Sequence, residues 1–179
     1  MSWKNLRNIL MATALGATVL GGAVQAQELS MVEASTDWSV YVDQNPKVCF
    51  IVSKPTKTEA RRGGKVVQVN RDDIRFYISI IPGQGVNGEP SFDSGYPLKP
   101  DGAVKVEIGD KTFAMFPDSG VDKQYAWTNP KDDEALIAAM KRGADAIVTG
   151  VSTRGTTTID TFSLRGFTAA IEKAEELCK

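Results

Sequence analysis

Two-residue alternation of apolar and polar side chains is the strongest constraint on how this chain folds. Ile74, Phe76, Ile78 and Ile80 alternate with Arg75, Tyr77 and Ser79, the period of a strand with one buried face. Trp38, Val40 and Val42 repeat the pattern against Ser39, Tyr41 and Asp43. Val48 to Val52 is apolar on both faces, as suits a central buried strand. Val104, Val106 and Ile108 alternate with Lys105 and Glu107, turn at Gly109-Asp110 and return over Thr112 to Phe116, which predicts a hairpin. A turn at Arg61-Arg62-Gly63-Gly64 is expected to lead into a strand from Lys65 to Val69, and two more strands are expected over Ala146 to Val151 and Thr156 to Leu164. Residues 82–102 are rich in Gly, Pro, Asp and Asn and predict a long connection with at most a short strand near Phe92.

Helical signals come late. Asn129-Pro130 offers a cap followed by proline at the first helical position, and Asp132, Asp133 and Glu134 suit the positive end of a helix dipole. Leu136, Ile137 and Met140 form the apolar stripe and Gly143 ends it. A last helix is expected from about Phe167 to Leu177, with Phe167, Ala170, Ile171 and Ala174 inward. Many strands and two late helices predict a mainly β fold, an antiparallel β-sandwich or partly open barrel with the helices packed on one face or end.

The first 26 residues read as targeting rather than fold. Lys4 and Arg7 precede an uncharged run from Ile9 to Val24, and Val24-Gln25-Ala26 supplies small residues where a signal peptidase reads. Cleavage is expected between Ala26 and Gln27, leaving residues 27–179 as one domain without a membrane-spanning segment. Export places Cys49 and Cys178 in an oxidising compartment, where an even pair predicts a structural disulfide. Closing so long a loop is worth about 5 kcal/mol by chain entropy.

Composition then removes whole classes of chemistry. The chain has no histidine, which excludes Ser-His-Asp and Cys-His nucleophiles and histidine metal sites. Its 21 Lys and Arg against 22 Asp and Glu argue against gripping nucleic acid by bulk charge. No catalytic, cofactor-binding or metal-binding residue is assigned, and no cofactor is implied. The polar segment from Arg154 to Phe167 carries Arg154, Asp160 and Arg165, a candidate cluster for structure or for binding an anion. Tyr96, in a Gly-Tyr-Pro connection, and Arg61 and Arg62, beside Gly-Gly, are candidate exposed contacts.

Several of these residues also carry a family resemblance. Trp38-x-Val40, Cys49, Gly95-Tyr96-Pro97 and Ala126-Trp127 are followed by Gly150-x-Ser152-x-Arg154-Gly155, the block Asp160-Thr161-Phe162-Ser163-Leu164-x-Gly166-Phe167 and the terminal Cys178. This layout resembles the invasion-associated locus B family of exported bacterial proteins. The resemblance implies a β-rich domain that is periplasmic, envelope-associated or secreted, in a family linked to host-cell invasion without a defined reaction or cofactor. The resulting expectation is a non-enzymatic module that binds a protein or envelope polymer through its loops. The alternatives are a small hydrolase using Asp160 and Glu107, and a ligand carrier with a cavity between sheet and helices.

Overall fold

The computed structural model describes residues 29–120 and 123–179; the expected signal peptide and its Ala26–Gln27 cleavage point lie outside them. The alternating segments form strands, and others join them. In chain order these are β1 (Ser30–Ser35), β2 (Trp38–Gln44), β3 (Lys47–Ser53), β4 (Lys57–Arg62), β5 (Lys65–Val66), β6 (Arg75–Ile81) and β7 (Val86–Asp93). The hairpin β8 (Val104–Ile108) and β9 (Lys111–Pro117) follows, then β10 (Tyr125–Thr128), β11 (Asp145–Val151) and β12 (Thr157–Ser163). Helix α1 (Asp133–Met140) precedes β11, and α2 (Phe167–Leu177) ends the fold.

The strands form one sheet in the order β1-β2-β3-β6-β7-β10-β9-β8-β11-β12-β4-β5. Every pairing is antiparallel. The sheet curls over itself without closing. Phe162 on β12 meets Phe76 on β6 and Phe92 on β7 at ring-centroid distances of 5.7 and 6.2 Å, although those strands are far apart in the sheet. The Trp38 indole N–H, on β2, donates to the Ser163 carbonyl across the same interior at 2.9 Å. Edge-to-face packing of these rings adds a directional preference to their burial.

Both helices lie against the inward face. Phe167 packs edge-on against Trp38 at 4.9 Å, and Leu136, Ala139 and Met140 of α1 are buried. Gly166 explains how α2 comes so near β1: its φ is +86°, and a Cβ there would lie 1.8 Å from the Ser35 carbonyl oxygen. Any other residue would push the helix away. The Cys49–Cys178 disulfide, with Cα atoms 6.0 Å apart, fixes the far end of α2 to β3. Among the described residues no helix is long and apolar enough to cross a membrane.

Besides β1 and β10, where the sequence reading expects no strand, four segments differ from the sequence expectation. The supposed connection over residues 82–102 contains the eight-residue β7. Gly88 and Pro90 hide it from a propensity reading, yet Gly88 is buried beneath α1, where a Cβ would come within 2.9 Å of Ile137 Cδ1. Arg61 and Arg62 belong to β4, and only the turn beyond them contains Gly63-Gly64. The strand expected from Lys65 to Val69 stops at Val66. The first helix opens as a 3₁₀ turn, Pro130–Asp132, with the Asn129 side chain accepting from the Lys131 N–H.

The disulfide yields a direct stability test. Cys49→Ser with Cys178→Ser is expected to lower the unfolding free energy by about 2–5 kcal/mol, read by urea denaturation. An unchanged midpoint would mean that the bridge adds nothing to what the core already holds.

Candidate functional site: an arginine-lined cleft

The loop between β5 and β6 brings Arg71 to the inner face of β12. Its guanidinium grips Asp160 in a two-pronged ion pair, Nη1 to Oδ1 and Nη2 to Oδ2, each at 2.7 Å. Nε and Nη2 also donate to the Ser94 carbonyl at 3.0 and 2.8 Å. Asp160 is fully buried and the Arg71 side chain is only 7% exposed. Burial raises the Asp160 carboxyl above its ordinary range, while the Arg71 hydrogen bonds and charge pull the other way.

Tyr96 completes the arrangement. Arg71 lies over its ring at 5.0 Å, close enough for a cation–π contact. Its hydroxyl is 2.7 Å from Thr158 Oγ1, and burial pushes the phenol pKa up, so the ring stays neutral. Two glycines permit this packing. A Cβ at Gly150 would lie 2.8 Å from the Tyr96 hydroxyl, and one at Gly95, where φ is +67°, would lie 2.5 Å from the Asp72 carbonyl oxygen.

Above this buried group opens a cleft of about 30 Å³, lined by Arg62, Arg71, Tyr96, Ser152, Arg154 and Thr156, among others. Strand alternation decides which basic residues reach it. Arg62 shares a face of β4 with buried Ala60, whereas Arg61 falls on the other face with Glu59 and forms an ion pair there. Arg62 instead donates to Thr156 Oγ1 through Nε at 3.1 Å and Nη2 at 2.7 Å. Arg154 stands in the turn between β11 and β12. Four of the seven arginines among the described residues, Arg61, Arg71, Arg75 and Arg165, pair with carboxylates. Of the other three, Arg142 stands just beyond α1, and Arg62 and Arg154 both line this cleft. Larger surface grooves of about 380 and 410 Å³ exist, but the arginines lining them, Arg75 and Arg71, already have carboxylate partners.

The candidate residues are therefore redistributed. Arg154, Asp160 and Arg165 do not form one cluster: Asp160 belongs to Arg71, and Arg165 pairs with Asp37 at 3.2 Å. Tyr96 is 8% exposed, which corrects its expected place on the surface; it forms the wall of the cleft. Arg61 and Arg62 point to opposite faces, so only Arg62 joins Arg154. Sequence reasoning misses Arg71 because it stands in a short charged loop 89 residues from its partner. Its one sequence signal is the charged run Arg71-Asp72-Asp73 ahead of a clearly alternating strand.

The alternatives meet geometric obstacles. Asp160 stands level with Val148 and Val106 across β12, β11 and β8, on the inward face. Glu107 alternates with Val106 to the outer face, where Lys105 holds it at 2.9 Å. The two carboxyl groups cannot flank one substrate. The space a carrier would need is occupied by Phe76, Phe92 and Phe162. A group of three or more acidic or cysteine side chains able to hold a metal is absent among the described residues. The outer face carries a band of aromatic rings, Tyr41 stacked on Phe50 at 5.1 Å and Tyr125 on Trp127 at 5.6 Å, neighbours that stiffen the sheet.

Comparison with known proteins agrees with this architecture. Residues 94–175 match the family model described as invasion associated locus B (IalB) protein. The crystal structure of invasion associated protein B from Bartonella henselae superposes with a TM-score of 0.56 at 17% identity, covering 83% of this chain and 98% of that one. At that identity the likeness speaks for the fold. No curated protein sequence gives a significant match.

Removing one member of the buried pair has a measurable cost. Arg71→Met is expected to destabilise the fold by about 3–5 kcal/mol, because it leaves Asp160 buried without a partner. Combining it with Asp160→Leu should recover most of that loss in urea unfolding. Additive losses in the double variant would show that the two side chains act independently.

Proposed function

We propose, from the match of residues 94–175 to the family model described as invasion associated locus B (IalB) protein, that the chain belongs to this family and is an exported, non-enzymatic binding module of the cell envelope. In this reading the first 26 residues are cleaved and residues 27–179 fold as one disulfide-stapled domain. The partner is an envelope polymer or protein, and the interaction belongs to the invasion-associated setting after which the family and the Bartonella protein are named.

One observation carries the reading: two arginines without carboxylate partners, Arg62 and Arg154, line one cleft above the buried Arg71–Asp160 pair. Arginines that fasten the fold are paired with acids in this molecule, as Arg165 is with Asp37 and Arg75 with Asp73. Uncompensated charge at one cleft favours recognition of a negatively charged group. The absence of histidine and the separation of Asp160 from Glu107 support binding over hydrolysis.

The test is cross-linking in the envelope of the protein's own host. Wild type should give a discrete cross-linked product from a cross-linker placed at Thr153, in the turn beside Arg154. Arg62→Gln with Arg154→Gln should reduce it at least fivefold, while Arg61→Gln leaves it unchanged. Equal yields from all three proteins would remove the cleft from the interaction.

A further inference from the structure

The chemistry of the same cleft selects a class of ligand, a conclusion that rests on the proposed binding role. Its lining includes three arginines, Arg62, Arg71 and Arg154, against the single carboxylate of Asp160 behind Arg71. The balance is two positive charges, those of Arg62 and Arg154, which are the exposed arginines of the lining. The donors are not used up. Arg71 commits four of its five N–H groups, to Asp160 and Ser94, and one on Nη1 is left. Arg62 commits Nε and one N–H of Nη2 to a neutral hydroxyl, which keeps its full charge. No acid competes for Arg154: among the described residues no ion pair holds it.

Size and charge narrow the ligand. About 30 Å³ gives room for little more than one water-sized group, so one oxygen of an anionic group enters while the rest of the group and its carrier stay at the rim. A carboxylate or a sulfate ester carries one negative charge; a phosphate monoester carries about −1.5 to −2 near pH 7 and offers three acceptor oxygens. Of these three, the phosphate monoester comes nearest in charge to the two surplus positive charges of the lining. Arginine is also suited to this group by its planar, forked N–H geometry.

We infer that the Arg62–Arg154 cleft is a receptor for a phosphate monoester displayed on a larger envelope molecule. Binding forms no covalent bond. The phosphate oxygens accept from Arg62 and Arg154 at the rim, and Arg71, held by Asp160, fixes the floor.

The probe is methyl phosphate, titrated into the purified protein at low ionic strength by calorimetry, with methyl sulfate and acetate as singly charged controls. Saturable binding is expected, at least threefold tighter than for either control. Arg62→Gln and Arg154→Gln should each weaken it at least fivefold; Arg61→Gln, on the opposite face, should not. Both cleft positions are exposed, and unchanged thermal melting of each variant separates lost binding from lost folding. A second readout needs no variant. The chain lacks histidine and burial raises the Asp160 carboxyl behind Arg71, so affinity is taken relative to methyl sulfate, which shares any effect of Asp160. Relative affinity that climbs between about pH 5 and 7 reports the second ionisation of the phosphate, near pH 6. Flat relative affinity across that range, equal affinity for methyl sulfate, or indifference to both arginine substitutions would overturn the inference. Inorganic phosphate binding as tightly as methyl phosphate would also overturn it, since the site would then read a free ion rather than a displayed ester. Failure here with cross-linking intact would reject the ligand class and leave the binding role standing; loss of both would reject the cleft.

Discussion

The buried pairing of Arg71 with Asp160 is the interaction on which the arrangement of this molecule turns. It joins three places distant in sequence: the loop before β6, the residue after β7 through the Ser94 carbonyl, and the middle of β12. A charge removed from water is costly unless another charge and enough hydrogen bonds answer it. Here both carboxylate oxygens are answered. The pair ties the loop to the strand through directional contacts, and a buried pair of this kind is by itself weak evidence of added stability. Tyr96 is packed under it, and Arg62 and Arg154 take their places around the opening that results.

A curled but open sheet creates the need for such a tie. In a closed barrel the first and last strands would hydrogen-bond along the seam. Here β1 and β5 end the sheet, and side chains bridge the two halves instead. Trp38 reaches the Ser163 carbonyl, Phe162 packs between Phe76 and Phe92, and the disulfide holds α2 to β3. The apolar bridges are shape-tolerant and supply burial; the Arg71–Asp160 bridge is directional and supplies alignment.

How much of this is legible in the sequence depends on whether the signal is local. The inward rows Trp38-Val40-Val42, Phe76-Ile78-Ile80 and Val104-Val106-Ile108 follow from a period of two, and all nine residues are buried. The caps and stripes of both helices are equally local. Strands β4 and β7 are hidden because an outward Glu59-Arg61 pair, a Gly and a Pro mimic loop composition. The partner of Asp160 is hidden because long-range pairing leaves no periodicity. The residues carrying the family resemblance have physical roles in the fold. Gly95 allows the Asp72 backbone to approach, Gly150 makes space for Tyr96, Gly166 brings α2 against β1, and Asp160 anchors Arg71. They specify the scaffold, while Arg62 lies outside that pattern and adds one wall of the cleft.

The most direct measurement is an amide chemical-shift map of the ¹⁵N-labelled protein as methyl phosphate is added. The largest changes are predicted at Arg62, at Thr153 to Thr156 and at Tyr96, with the aromatic outer face around Tyr41 and Trp127 unmoved. Shifts concentrated on that outer face, or spread evenly over the surface lysines, would contradict a phosphate-reading cleft.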